Sequence, residues 1–146
     1  MRKRDRGNEG KLPCLLCAKC CEQTQMLLSN ADLDRIERET KQARRQFSYL
    51  RDGYYYLKNR GQYCIFLNPA ANKCSIYDNR PQGCRFYPIV FDPFSNCAVV
   101  DKDCTNRENI PQKMTLENLP ELREFILLLE EERRLRLNPN SKEKRK

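Results

Sequence analysis

The chain has 146 residues, a third of them charged, with nine cysteines, eight prolines, no tryptophan and no histidine. That length allows one domain with a lean core that needs a staple, for which the cysteines are the candidates. The missing imidazole excludes mixed Cys/His zinc sites, and the longest apolar run, "FILLLE", is far short of the ~18 residues that a membrane helix requires.

The net charge of +8 is concentrated at the ends. Residues 1–11 hold five Lys/Arg against two Asp/Glu, and residues 133–146 hold seven against one, which leaves residues 12–132 at −1. Short basic ends are ordinarily solvated tails. The expected organisation is therefore a basic disordered tail over 1–11, one domain over 12–137 and a second basic disordered tail over 138–146, and nucleic acid is not an expected partner. The start "MRKRDRGNEGKLPC" is positive but lacks the apolar stretch of a signal peptide, which predicts a cytoplasmic protein. In a reducing compartment, dense cysteine points to metal rather than disulfides, and an odd count does not pair fully.

In chain order, Ser29 followed by Asp32 reads as a capping box. With Leu33, Ile36, Thr40 and Ala43 at helical spacing, it predicts a helix over Asn30–Gln46. "YYYLK" reads as a strand. "GQYCIFL" and "KCSIY", separated by the reversing loop "NPAAN", read as an antiparallel hairpin. In "DNRPQGC", Pro81 opens a short helix or turn that Asp78 or Asn79 would cap. "IVFDP" and "CAVVD" flank the turn "PFSN" as two further strands. A last helix is predicted over Pro120–Leu137, with Leu122, Phe125, Ile126 and Leu129 on a stripe that packs onto the body. The fold class is α+β: a small cysteine-rich, metal-stapled domain with a short antiparallel sheet and two longer helices.

The segment "CLLCAKCC" places four cysteines in eight residues. On a helix, Cys14, Cys17 and Cys21 would fall within about 60° of one another, with Cys20 to one side. Cys64, Cys74, Cys84, Cys97 and Cys104 follow, widely spaced and without a second C-x-x-C pair. Zinc sites with four thiolates usually combine two such pairs, whereas three close thiols with a remote fourth commonly hold an iron–sulfur cluster. All-thiolate ligation suits either metal, and the asymmetry favours iron–sulfur. Adjacent cysteines rarely serve the same tetrahedral ion, so Cys20 and Cys21 are expected to divide their roles.

"CLLCAKCC", "YCIFL", "KCSIYDNRPQGCRFYP" and "DKDC" together resemble the YkgJ-like CxxCxxCC cysteine-cluster family of zinc- or iron-chelating domains. The resemblance implies eight metal ligands, which map onto Cys14, Cys17, Cys20, Cys21, Cys64, Cys74, Cys84 and Cys104. Cys97 falls outside the pattern. A related domain accompanies flagellin lysine methylases, which raises a methyltransferase-associated module as an alternative. Arg80 and Arg85 flank Cys84, where their cations would favour its thiolate; alternatively, Arg80 ties the turn to backbone carbonyls or a carboxylate.

The expected function is thus metal binding, as an iron–sulfur cluster (4Fe–4S) or Zn, in a structural or redox centre. A metal-dependent enzyme is one rival, although without histidine its acid or base would have to be a tyrosine, carboxylate or lysine. A binding module that uses the basic tails is another.

Overall fold

The computed structural model describes residues 25–68, 70–71, 73–102 and 107–139. Cys14, Cys17, Cys20, Cys21, Cys104, the expected tail over 1–11 and all but the first two residues of that over 138–146 lie outside the described residues. A two-residue strand, β1 (Leu27–Leu28), leads into helix α1 (Asn30–Thr40). The capping box forms as expected: Ser29 Oγ accepts from Asp32 N at 3.1 Å, and Asp32 Oδ2 accepts from Ser29 N at 3.0 Å.

Helix α1 is shorter than the Asn30–Gln46 expected. Lys41 adopts the left-handed conformation, with φ of 60°, and its N–H donates to the Glu37 carbonyl. The reason lies in the stripe. Leu33 and Ile36 are fully buried, but the next positions on that face are Glu39 and Thr40, and Ala43 is exposed. With no apolar group to bury, continuing the helix gains nothing from packing. The chain instead makes one turn, α2 (Arg44–Phe47), which inserts Phe47 into the core with no exposed surface.

Strand β2 (Ser48–Arg51) was not expected, whereas β3 (Tyr54–Leu57) matches the predicted "YYYLK" strand. They form a hairpin through Asp52 and Gly53, at φ of 55° and 84°. Two successive positive φ angles give the turn that matches strand twist, and Asp-Gly is a sequence suited to it. β1 pairs with the other edge of β3, which makes a three-stranded antiparallel sheet in the order β1-β3-β2. One face directs Leu28 and Leu57 into a cluster with Leu33, Ile36, Phe47, Cys64, Phe66, Leu67 and Ile76.

The next two hairpins are minimal. β4 (Asn59–Arg60) pairs with β5 (Tyr63–Cys64), and β6 (Leu67–Asn68) pairs with β7 (Lys73–Cys74). The expected hairpin around "NPAAN" is therefore present, with Leu67 opposite Cys74. Its first segment is divided, however, because Gly61, at φ of 63°, turns Tyr63–Cys64 back onto Asn59–Arg60. After a 3-10 turn (Tyr77–Asn79) comes α3 (Gln82–Phe86). β8 (Ile89–Asp92) and β9 (Cys97–Val100) then pair around "PFSN" as predicted.

The last helix, α4 (Gln112–Leu137), begins eight residues before the predicted Pro120. Proline costs a helix its own N–H bond and crowds the carbonyl four residues back. Here both Pro120 and Leu116 are exposed, so the freed carbonyl faces water. The predicted stripe is otherwise as read: Leu122, Phe125 and Leu129 are buried against Phe86 and Ile89, with Ile126 half-buried beside them. Among the described residues no helix is long and apolar enough to cross a membrane.

The end of α4 clamps the β2–β3 turn. Arg133 Nε donates to the Asp52 carbonyl at 2.8 Å, and Arg136 Nη1 donates to the Gly53 carbonyl at 2.9 Å. Glu132 accepts from Asn30 N at 2.9 Å and faces Arg136 at 3.6 Å. Burial pushes the Glu132 carboxyl up and the Arg136 guanidinium down, the signature of a partly desolvated pair. A Cβ on Gly53 would lie 2.9 Å from Arg133 Cγ and 3.0 Å from Leu137 Cγ. Gly53→Ala combines this crowding with a left-handed backbone and should cost about 1–2 kcal/mol or more in urea unfolding. An unchanged midpoint would show that the clamp is loose.

Candidate metal centre

Cys84 sits in α3, and what positions α3 is a buried carboxylate fifty residues away. Asp32 is 1% exposed. While its Oδ2 closes the α1 cap, its Oδ1 accepts from Gln82 N at 3.0 Å and from Arg35 Nη2 at 2.7 Å. The same Arg35 nitrogen donates to the Arg80 carbonyl at 2.9 Å. One acidic side chain therefore serves the first N–H groups of two helices and orients the arginine that holds the segment between them.

This corrects the expected cap. Asp78 and Asn79 do not cap α3, whose N-cap is Pro81 without a side-chain hydrogen bond. Both belong to the preceding 3-10 turn, and their carbonyls accept from Arg85 Nη2 at 3.0 Å and Arg35 Nε at 3.5 Å, respectively. The free N–H that opens α3 instead turns inward to Asp32. Of the two roles weighed for the flanking arginines, carbonyl tethering is the one these contacts display. Arg80, 7% exposed, donates to the Tyr77 carbonyl at 2.8 Å and lies 4.0 Å over the Tyr77 ring. A buried, tied Arg80 holds "RPQGC" rigid whatever it adds to the local field.

The other described cysteines are on neighbouring hairpins. Cys64 is buried in β5, where its Sγ accepts from Phe66 N at 3.5 Å. Cys74, in β7, packs against the same cluster as Cys64. Met26 packs there too, and it also reaches α3, because a Cβ on Gly83 would be 2.3 Å from Met26 Sδ. Gly83 is therefore the residue that lets the start of β1 press against the turn carrying Cys84. Cys97, by contrast, is exposed at the start of β9, where its thiol donates to the Ser95 carbonyl at 3.2 Å.

No disulfide joins Cys64, Cys74, Cys84 and Cys97 to one another. Among the described residues no group of three or more Cys, Asp or Glu converges closely enough to hold a metal. The described thiols thus supply part of a ligand set, and Cys14, Cys17, Cys20, Cys21 and Cys104 lie outside the described residues. Asp32, Arg35 and Met26 are the positioning residues that sequence reasoning missed. In the sequence Asp32 reads only as a local cap, and its spacing to Gln82 carries no periodic signal.

Asp32→Ala would leave the N–H groups of Ser29 and Gln82 and the Arg35 guanidinium without their buried acceptor. It should destabilise the protein by at least about 2 kcal/mol and reduce bound metal, as read by urea unfolding and elemental analysis. Wild-type metal content in a well-folded Asp32→Ala protein would show that α3 needs no such anchor.

Residues 13–110 match the protein-family model CxxCxxCC, described as "Putative zinc- or iron-chelating domain". All nine cysteines fall inside the matched stretch. No curated protein and no solved structure matches the chain.

Proposed function

Because the chain belongs to the CxxCxxCC family of zinc- or iron-chelating domains, we propose that it binds a soft metal centre through Cys14, Cys17, Cys20, Cys21, Cys64, Cys74, Cys84 and Cys104. The observation that carries this reading is the meeting of cysteine-bearing segments at Met26, which touches both the Cys64/Cys74 cluster and the residue before Cys84. Cys21 is five residues upstream of Met26, so the covalent chain keeps it within about 17 Å of that point. Cys104 is three residues beyond Asp101, whose N–H donates to the Pro88 carbonyl at 2.7 Å. Pro88 is itself only four residues from Cys84. These chain lengths are short enough for the end of "CLLCAKCC" and for "DKDC" to reach the described thiols.

The donor chemistry fits the proposal. A chain without histidine offers thiolates, which suit zinc and iron alike. The unpaired spacing of the later cysteines favours an iron–sulfur cluster over Zn. A cluster would supply one-electron transfer, whereas Zn would supply a structural cross-link. The protein's own part is to hold the ligands: Asp32 and Arg35 fix the Cys84 turn, Phe66 N–H points at Cys64 Sγ, and Met26 with Gly83 brings the β1 entrance against α3. A reducing, cytoplasmic setting suits metal-binding thiolates.

Anaerobic purification followed by elemental analysis and absorption spectroscopy tests the proposal. Brown protein with iron and sulfide is expected. Colourless protein with stoichiometric zinc would replace the cluster with zinc, and reduced protein with neither metal would end the chelation reading.

Substitution separates ligands from bystanders. Cys84→Ser and Cys104→Ser should each lose most of the metal, while Cys97→Ser, at an exposed thiol bonded to its own turn, should retain it. Equal loss in all three would make Cys97 a ligand.

A further inference from the structure

The buried apolar stripe of α4 ends at Leu129, yet the helix runs on to Leu137. In that extension Leu135 is half-buried and Leu137 half-exposed. These last two turns, residues 130–137, are fastened to the body by polar and charged side chains. Tyr54 Oη donates to Glu130 Oε1. Arg133 and Arg136 donate to the Asp52 and Gly53 carbonyls of the β2–β3 turn, and their guanidinium groups lie 5.1 Å and 4.6 Å from the centres of the Tyr54 and Tyr55 rings. At Asn30, Glu132 Oε1 accepts from the backbone N–H, and Arg136 Nη2 donates to the side-chain Oδ1.

Such a fastening differs from a packed core. Asn30, Asp52 and Glu130 are exposed even with the helix in place, so water can take over their hydrogen bonds when the helix lifts. The layer at Leu122, Phe125 and Leu129 has no such substitute. Segments with few buried apolar contacts and many exposed polar ones are the first to open. The contacts also share side chains: Arg136 alone joins the Gly53 carbonyl, Asn30 and the Tyr55 ring, so they part together. One end of the fastening is the start of α1, the same helix start that anchors the Cys84 turn. Asn30 follows Ser29, whose N–H is held by Asp32 Oδ2, while Asp32 Oδ1 holds the Gln82 N–H at the entry to α3. Glu132 thus satisfies one more of the free N–H groups at that start.

We propose that residues 130–137 form a latch that opens and closes as one unit while the rest of the domain stays folded. Closing the latch steadies the start of α1 and, through Asp32, the Cys84 turn. Opening it releases the Asp52-Gly53 turn and leaves Asn30 to water. Ordinary fraying is different, because it loosens a helix residue by residue from its end and does not reach a neighbouring element.

The test is amide-resolved hydrogen exchange by NMR, using the full chain with its native metal content. Amides 131–137 should share one protection factor, lower than that of Leu122–Leu129. Arg136→Gln should speed all of 131–137 about tenfold, as for one lost hydrogen bond to a charged group, and leave Leu122–Leu129 unchanged. It should also speed Gln82 by at least about twofold, the lower end for coupling through a network. The Gln82 N–H reports the turn directly, so the outcome does not depend on the metal reading. Asn30→Ala removes the Oδ1 acceptor from the other side and should give the same pattern, which keeps the test open if one variant misfolds; circular dichroism checks both. Protection over 131–137 equal to that of Leu122–Leu129 would overturn the proposal. So would protection graded inward from Leu137 and indifferent to the substitutions, or a Gln82 amide that neither folded variant moves.

Discussion

The carboxylate of Asp32 is the constraint on which the arrangement of this domain turns. It is nearly inaccessible to water, and a carboxylate in that position is costly unless its oxygens are met by donors. Here they are met by Ser29 N–H, Gln82 N–H and Arg35. Those partners come from the start of α1, the start of α3 and the solvent side of α1. Satisfying one buried anion therefore fixes the relation between the first helix and the turn that carries Cys84. Arg35 extends the effect to the Arg80 carbonyl, and Arg80 in turn holds the Tyr77 carbonyl. The polar network is continuous from α1 to the cysteine-bearing turn, and satisfied networks of this kind rigidify what they connect.

Around that network the domain has two modest apolar clusters rather than one large core. One lies between the sheet, α1 and the small hairpins, and the other between α3, β8 and α4. β1 bridges them. Met26 packs against the first cluster, and Leu27 against the second. The segment Met26–Leu28 therefore sits between the two small clusters and contributes to both. Metal ligation would add cross-links among these pieces, which suits a chain whose apolar content is small for its length.

Much of this was legible because the relevant signals are local. The Ser29/Asp32 box, the Leu33/Ile36 stripe, the Leu122/Phe125/Leu129 stripe and the "PFSN" turn each depend on residues a few positions apart, and each forms as read. Helix lengths were less legible. α1 stops where its stripe runs out of apolar residues, and α4 passes through Pro120 because the carbonyl it frees is on the wet side. The Asp52-Gly53 dipeptide suits two positive φ angles, but the expected helix to Gln46 and the strand "YYYLK" leave the partner strand Ser48–Arg51 unassigned. What no local pattern encodes is the long-range pairing of Asp32 with Gln82, or of Met26 with Gly83. Those contacts follow only once sheet and helices are assembled, which is why the short helix opening at Pro81 was legible in the sequence while the buried anchor that holds it was not.

Thiolates are the proposed ligands of the metal, and the most direct measurement is X-ray absorption at the metal edge of natively purified full-length protein. Thiolate ligation predicts a first shell made of sulfur at about 2.3 Å, with iron neighbours beyond it if the centre is a cluster. A shell dominated by oxygen or nitrogen would contradict it, because the metal would then be held by carboxylates, backbone or solvent rather than by the cysteines.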